Sequence, residues 1–424
     1  MNSNFKRYII FWLSQALSQL GSSMTTFALI LWTYTQKGTA MTVSLMTFFN
    51  YLPYIILSLF VGTFVDNHSK KKIMLVSDSI AAICSLAIFC LNSGNALQIW
   101  HIYLVNMIIG FMGAFQDPAS DVALGKVVPK EKLEQISGMN SFSDNLVAVL
   151  SPVFAAFLFA FGGLKLILII DLSSFLFAFL ILLFVLRIPD DIPQKAEKKS
   201  VFIGCKEGLQ YLKQHNGIFL VIITMAVLNF FSRLTYENIL SPMILSRSAN
   251  DSVTLGIVNA VMGIGGIIGG IIVSSGKIKA NIAKMIYLSA MLSFLLGDIM
   301  MGLGRNGIVW SLAGLAASLP IPFINAGQMV ILYRNVPEDM KGRIFAVRNA
   351  VQFSSIPLGI LLGGLLADYV FEPFMLTQNP ITQVLHKLVG EGAGSGMAVM
   401  FLCTGILGSL FSFAFYQRKD IRNL

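Results

Sequence analysis

The chain has 424 residues, 55% of them hydrophobic and only 12% charged, with a net charge of +9. Soluble domains carry about 25% charged residues, so most of this surface faces lipid rather than water. The basic excess is spread over many short segments, which excludes the concentrated patch that nucleic-acid binding needs. Cys84, Cys90, Cys205 and Cys403 have neither metal-site nor disulfide spacing, and no phosphate-binding Gly-x-x-x-x-Gly-Lys-Ser/Thr loop occurs, so no metal, cofactor or ATP is expected.

Twelve apolar runs follow one another, at 9–35, 41–65, 73–93, 98–122, 137–162, 164–186, 217–245, 252–275, 281–303, 308–333, 342–369 and 395–417. Each matches the ~20 residues a helix needs to cross a bilayer. Unpaired backbone groups are not tolerated in lipid, so runs of this length must be helical. The first run follows Lys6 and Arg7 but is far longer than the ~7–15 apolar residues of a signal peptide. Lys and Arg then fall almost wholly in alternate gaps. Lys70–Lys72 lie between runs 2 and 3, Lys126, Lys130 and Lys132 between 4 and 5, and Lys195, Lys198, Lys199, Lys206 and Lys213 between 6 and 7. The series continues with Lys277 and Lys279, then Arg334, Lys341, Arg343 and Arg348, and ends with Arg418, Lys419 and Arg422. Only Lys37, Lys165, Arg247, Arg305 and Lys387 fall in the opposite gaps. Positive charge is retained on the cytoplasmic side, which places both termini there.

The longest gap, rich in Lys, Asp and Glu and holding Pro189 and Pro193, divides the runs six and six. It reads as a linker with a short surface helix near Lys206–Lys213. A shift of 208 residues lays Gly62 on Gly270, Val128-Pro129 on Val336-Pro337, and Glu131 on Asp339. The expected fold is therefore an all-α membrane protein of twelve transmembrane helices in two pseudo-symmetric six-helix bundles. Their bounds are 1–186 and 217–424, joined by a cytoplasmic linker at 187–216. Parallel repeats of this kind place a substrate site near the midplane. Gly265, Gly266, Gly269 and Gly270 in run 8, and Gly359, Gly363 and Gly364 in run 11, are expected to let helices pack closely.

Between runs 2 and 3 the chain reads Gly62-Thr63-Phe64-Val65-Asp66-Asn67-His68-Ser69-Lys70-Lys71-Lys72. Asp66, four residues after Gly62 at a helix end, is placed to meet the N-terminus of a neighbouring helix such as run 11, where an anion is favoured. This Gly-x-x-x-Asp plus basic-run pattern resembles the signature of the major facilitator superfamily. The resemblance extends to the twelve spans, the cytoplasmic termini and the central linker. More narrowly, Phe60–Ile73, Phe115-Gln116-Asp117-Pro118-Ala119, Ser151-Pro152 and Ile170-Asp171 resemble the bacterial macrolide-efflux branch. The sequence departs from proton-coupled drug exporters in lacking an Arg in run 4, in reducing a Gly-rich motif to Ser151-Pro152, and in holding Ser274 where Asp66 repeats.

Ionisable groups inside a span are costly and mark functional positions. Arg233 and Glu237, four residues apart on one helix face, lie beside Asn229 and Tyr236 in run 7. These four are the candidate substrate-binding residues, with a purely structural ion pair as the alternative. The histidines His68, His101, His215 and His386 lie in loops or at interfaces. A proton carrier must then be a carboxylate, and Asp171, Glu237 and Asp144 are the candidates in that order. Asp78, Asp117 and Asp121 are expected to cap helices or pair with Lys70–Lys72 or Lys126. Asp298 and Asp368 rank low, being near span ends. The resemblance implies a monomeric exporter in a bacterial inner membrane, moving amphipathic macrolide-like drugs outward by proton antiport with alternating access. The alternatives are an exporter of an endogenous metabolite, such as a siderophore or peptide, and a non-transporting receptor on the same fold.

Overall fold

The computed structural model describes residues 3–66, 68–127, 133–185, 201–275 and 281–422. Outside them lie Asn67, Val128-Pro129, Lys130–Lys132, residues 186–200 of the linker, Lys277 and Lys279. Helix α1 spans Ser3–Lys37, α2 Ala40–Asp66, α3 Lys70–Ser93 and α4 Ile99–Val127. The long stretch Leu133–Phe184 breaks at Gly163, whose φ of 60° and ψ of −162° are not helical. A positive φ suits glycine alone without strain, so Gly163 is the turn between α5 (133–162) and α6 (164–184). The expected linker helix is α7, Val201–Gln214.

The second half opens with α8, Asn216–Thr235, and α9, Leu240–Arg247. These are one apolar run broken at Tyr236–Ile239. Helix α10 is Ser252–Ser274 and α11 is Ile282–Leu303, which contains a π-bulge at Ser293–Asp298. The next span is divided into α12, Gly307–Ser318, and α13, Ile321–Asn335, at the helix-breaking Pro320. Helix α14, Glu338–Leu366, runs on through a second π-bulge at Ala367–Phe371 as far as Met375. An amphipathic helix α15, Pro380–Val389, was not foreseen; α16 is Ser395–Tyr416 and α17 Lys419–Arg422.

Among the described residues, ten stretches are long and apolar enough to cross a membrane. One of these, Phe142–Phe184, holds two spans separated by Gly163. Helix α1 is long enough but carries a polar stripe at Gln15, Gln19, Ser22 and Thr25, and it completes the twelve. The 208-residue offset maps α4 onto Gly307–Asn335 end for end. It fails at the last pair of spans, where α15 is inserted.

The chain forms two compact units, one of Met1–Lys37 with Leu45–Glu197 and the other of Gly38–Ser44 with Lys198–Leu424. In the first, Val61, Val65, Met74, Ala119 and Leu182 form a dry core. In the second, Val221, Ile286, Tyr287 and Phe294 form one core, and Leu212, Ile222, Leu332 and Ile344 another. Gly265 faces the Ser318 side chain and Gly269 the Leu319 carbonyl, both of the α12–α13 span, so closely that a Cβ would collide, whereas Gly266 and Gly270 face open space. Gly359 and Gly363 do the same for α14 against α8. The glycine rows are thus packing surfaces, and two of them bring α14 onto the break in α8.

Candidate substrate cavity and carboxylate sites

The break at Tyr236–Ile239 opens onto a cavity of about 440 Å³ within the second unit. Its walls come from α8, α11, α12, α13 and α14. All four predicted binding residues, Asn229, Arg233, Tyr236 and Glu237, line it. Arg233 and Glu237 form the expected ion pair. Their side chains remain 26% and 31% exposed, so the pair borders open space rather than lying sealed in a core. The break is a local one: the Tyr236 and Ile239 N–H groups still donate to the Ser232 and Thr235 carbonyls, at 3.0 and 2.9 Å.

The same cavity holds residues that the sequence reading placed elsewhere. Asp298, ranked low for its place near a span end, lines it and is only 1% exposed. It accepts hydrogen bonds from the Tyr236 hydroxyl at 2.9 Å and the Thr404 hydroxyl at 2.7 Å. The π-bulge that ends at Asp298 turns it toward them, and such bulges recur at functional sites. Arg348, taken as a loop cation, sits instead inside α14 and lines the cavity. Its Nε donates to Gln352 Oε1 at 3.3 Å and its Nη1 approaches Met329 Sδ at 3.6 Å. Gln328 and Gln352 are 3% and 5% exposed, and both side-chain amide nitrogens lack a hydrogen-bond partner. Amide side chains inside two apolar runs were the available sequence signal.

Asp171 lies in the first unit and is 3% exposed. Three hydroxyls converge on its carboxylate: Ser22 Oγ at 3.0 Å, Thr25 Oγ1 at 2.9 Å and Ser85 Oγ at 3.0 Å. A hydroxyl can donate or accept, so this cage can satisfy either protonation state of the acid by rotating O–H bonds. Asp144 is exposed and accepts from Gln19 Nε2 at 3.0 Å. Asp171 and Asp144 belong to the first unit and Glu237 to the second.

A model of the Major Facilitator Superfamily matches residues 11–360. The chain belongs to that superfamily. Macrolide efflux protein A of Streptococcus pyogenes is 26% identical over 375 residues, covering 87% of this chain and 91% of that protein. The staphyloferrin A transporter of Staphylococcus aureus is 23% identical over 365 residues, covering 84% and 89%. The solved structure of a bacterial homologue of the human lysosomal transporter Spinster superposes with a TM-score of 0.70 at 14% identity, covering 98% of each chain, and shares the fold. A member of this superfamily is a multi-pass membrane transporter of small molecules, not an enzyme. No cluster of possible metal ligands occurs among the described residues.

In this superfamily member the signature after α2 is only partly described. Gly62 and Asp66 fall in the last turns of α2, and the Asp66 side chain lies outside the described ones. Lys70 is buried at the start of α3, 3% exposed. Lys71 Nζ donates to the Leu183 carbonyl at 2.9 Å, a cation at the C-terminal end of α6. Lys72 lines a surface hollow with Phe64 and His68. Asp78 accepts from Gln116 Nε2 at 2.9 Å and Asp117 from the Tyr54 hydroxyl at 3.0 Å, while the side chains of Asp121 and Lys126 lie outside the described ones. Asp368, also ranked low, caps a helix. Its two oxygens accept the backbone N–H groups of Ala40 at 3.0 Å and Met41 at 2.7 Å, the first residues of α2.

Proposed function

We propose that this superfamily member is a secondary active exporter of amphipathic, macrolide-like small molecules, driven by proton antiport with alternating access. The observation that carries this reading is the cavity at the α8 break. It combines apolar patches at Met225, Leu228, Phe294 and Ile356 with many polar groups and an internally neutralised Arg233–Glu237 pair, a mixture suited to an amphipathic ligand. The direction and the macrolide class draw on the likeness to macrolide efflux protein A. In this reading the protein works as a monomer in a bacterial inner membrane, with both termini cytoplasmic. Residues 1–186 and 217–424 act as the two rocking halves and 187–216 as their tether.

The coupling reading assigns the proton to Asp171, because its hydroxyl cage can serve both charge states. Glu237 and Asp144 are the next candidates. Asn229, Arg233, Tyr236 and Glu237 contact substrate, and Gly62, Asp66 and Lys70–Lys72 form the gate. The test is accumulation of labelled erythromycin in cells and in everted vesicles, with and without an uncoupler. Wild type should lower cellular accumulation, and the uncoupler should abolish the difference. Asp171→Asn should lose uphill efflux but keep downhill counterflow. Full pH-driven efflux in Asp171→Asn would move the assignment to Glu237 and Asp144. No erythromycin transport in any direction would remove the macrolide reading. A second reading, export of an endogenous metabolite such as a siderophore, is favoured by Arg348, whose partners in the cavity are all neutral. Metabolite profiling of a deletion strain separates the two.

A further inference from the structure

The polar groups around the cavity do not balance. Arg233 is neutralised by Glu237, and each oxygen of Asp298 already accepts from a hydroxyl. Arg348 is different. Its guanidinium meets an amide oxygen, a thioether sulfur and the face of the Phe345 ring and, among the described residues, makes no ion pair. Gln352 gives its oxygen to Arg348, so its own amide nitrogen is idle. Turning that amide over would set N–H against guanidinium, so the assignment is not arbitrary. The Gln328 nitrogen is idle too, and Gln328, Arg348 and Gln352 line the same cavity from α13 and α14. Buried donors without partners are rare in folded proteins and call for an explanation.

We infer that this wall holds the acidic head of an amphipathic ligand, a carboxylate or similar oxyanion, with Arg348 as its ion partner and the Gln328 and Gln352 amides as further donors. Arginine's planar fork matches a carboxylate's two oxygens. Phe294 of α11 and Met225 of α8, which line the same cavity, are left for the apolar body. The inference rests on the reading of this cavity as the substrate site and sides with the second reading above, an acidic metabolite, since macrolides carry a basic amine and no carboxylate. It also gives the two glutamines a purpose that packing does not supply, since apolar residues of similar size would fill the same space without stranded donors.

The test uses dansylglycine and dansylglycinamide, which share a fluorophore and differ in one charge, titrated against the purified full-length transporter in nanodiscs. Wild type should bind the acid at least about tenfold more tightly than the amide, the factor a charge-assisted hydrogen bond commonly supplies. Arg348→Gln should abolish that preference, and Arg348→Lys should restore part of it. Gln328→Leu should weaken binding of the acid while raising the thermal unfolding temperature, because it removes an idle buried donor; a purely structural glutamine predicts a lower one. Equal binding of both compounds by wild type, or a preference that survives Arg348→Gln, overturns the inference and leaves the cavity as a substrate site. Binding of neither compound at millimolar concentration overturns the cavity reading and this inference with it. If Arg348→Gln fails to fold, Gln328→Leu and Arg348→Lys decide the question.

Discussion

Replacing Gly363 with alanine tests the contact that brings α14 onto the broken span. A Cβ at Gly363 would lie 2.6 Å from Asn238 Nδ2 and 3.1 Å from the Leu234 carbonyl carbon, and closer still to the Leu234 oxygen. Carbon atoms pack best at about 3.5–4.0 Å, and a backbone carbonyl cannot rotate away as a side chain can. Either α14 shifts, or Asn238 moves and loses its bonds to Ser44 Oγ at 2.9 Å and the Ile360 carbonyl at 2.6 Å. Overpacking costs about 1–3 kcal/mol, and two lost hydrogen bonds about 1–3 kcal/mol more. Alanine's better helix propensity returns about 1 kcal/mol. The net expectation is a loss of about 3 kcal/mol, measured by detergent-induced unfolding in mixed micelles followed by tryptophan fluorescence. Gly266→Ala is the control, because its Cβ would meet nothing within 4 Å, and it should match wild type or gain up to about 1 kcal/mol. Equal stability of the two variants would refute the close approach of α14 to α8.

Four further outcomes are expected. Asp368→Asn should cost about 1 kcal/mol by the same unfolding assay, since it removes a carboxylate from the N-terminus of α2; Asp66→Asn should instead lower efflux at equal expression, and unchanged efflux would reject its gating role. Neutralising either Arg233 or Glu237 alone should reduce the yield of folded protein if the pair is structural, with the charge-swapped double variant recovering it, whereas Glu237→Gln should change which drugs are carried if the pair binds substrate. Cysteines at positions 199 and 378 should react with an impermeant maleimide from opposite sides of the membrane, and labelling of both from one side would sink the topology.

The spans were legible because lipid imposes two simple demands, apolarity for about 20 residues and satisfied backbone groups, and both leave marks along the chain. The Arg233–Glu237 pair was legible because four residues is one helical turn. Asp298, Arg348, Gln328 and Gln352 were not, for different reasons. Hydropathy places Arg348 only as near a run's end, and its count as a loop cation hid its position along α14. Asp298 meets Tyr236 and Thr404 across three helices, a contact with no local signature. The Gly265–Gly269 and Gly266–Gly270 pairs look alike in sequence, and only the direction each faces separates a packing surface from an open one.

The two π-bulges store the cavity and capping chemistry in register rather than in composition. Each residue advances a helix by about 100°, and a π-bulge is the trace of one residue too many for an α-helical turn. Deleting a single residue from Ser293–Asp298 would let that segment relax into an ordinary helix, with apolarity and length hardly changed. Because the bulge absorbs its extra residue, the flanking helices would keep their register, and only the side chains of this turn, Asp298 among them, would change direction. Asp298 could no longer face both Tyr236 and its own side of the span. A one-residue deletion here should therefore insert into the membrane as before and fail as a transporter, and a compensating one-residue insertion within the same turn should revive it.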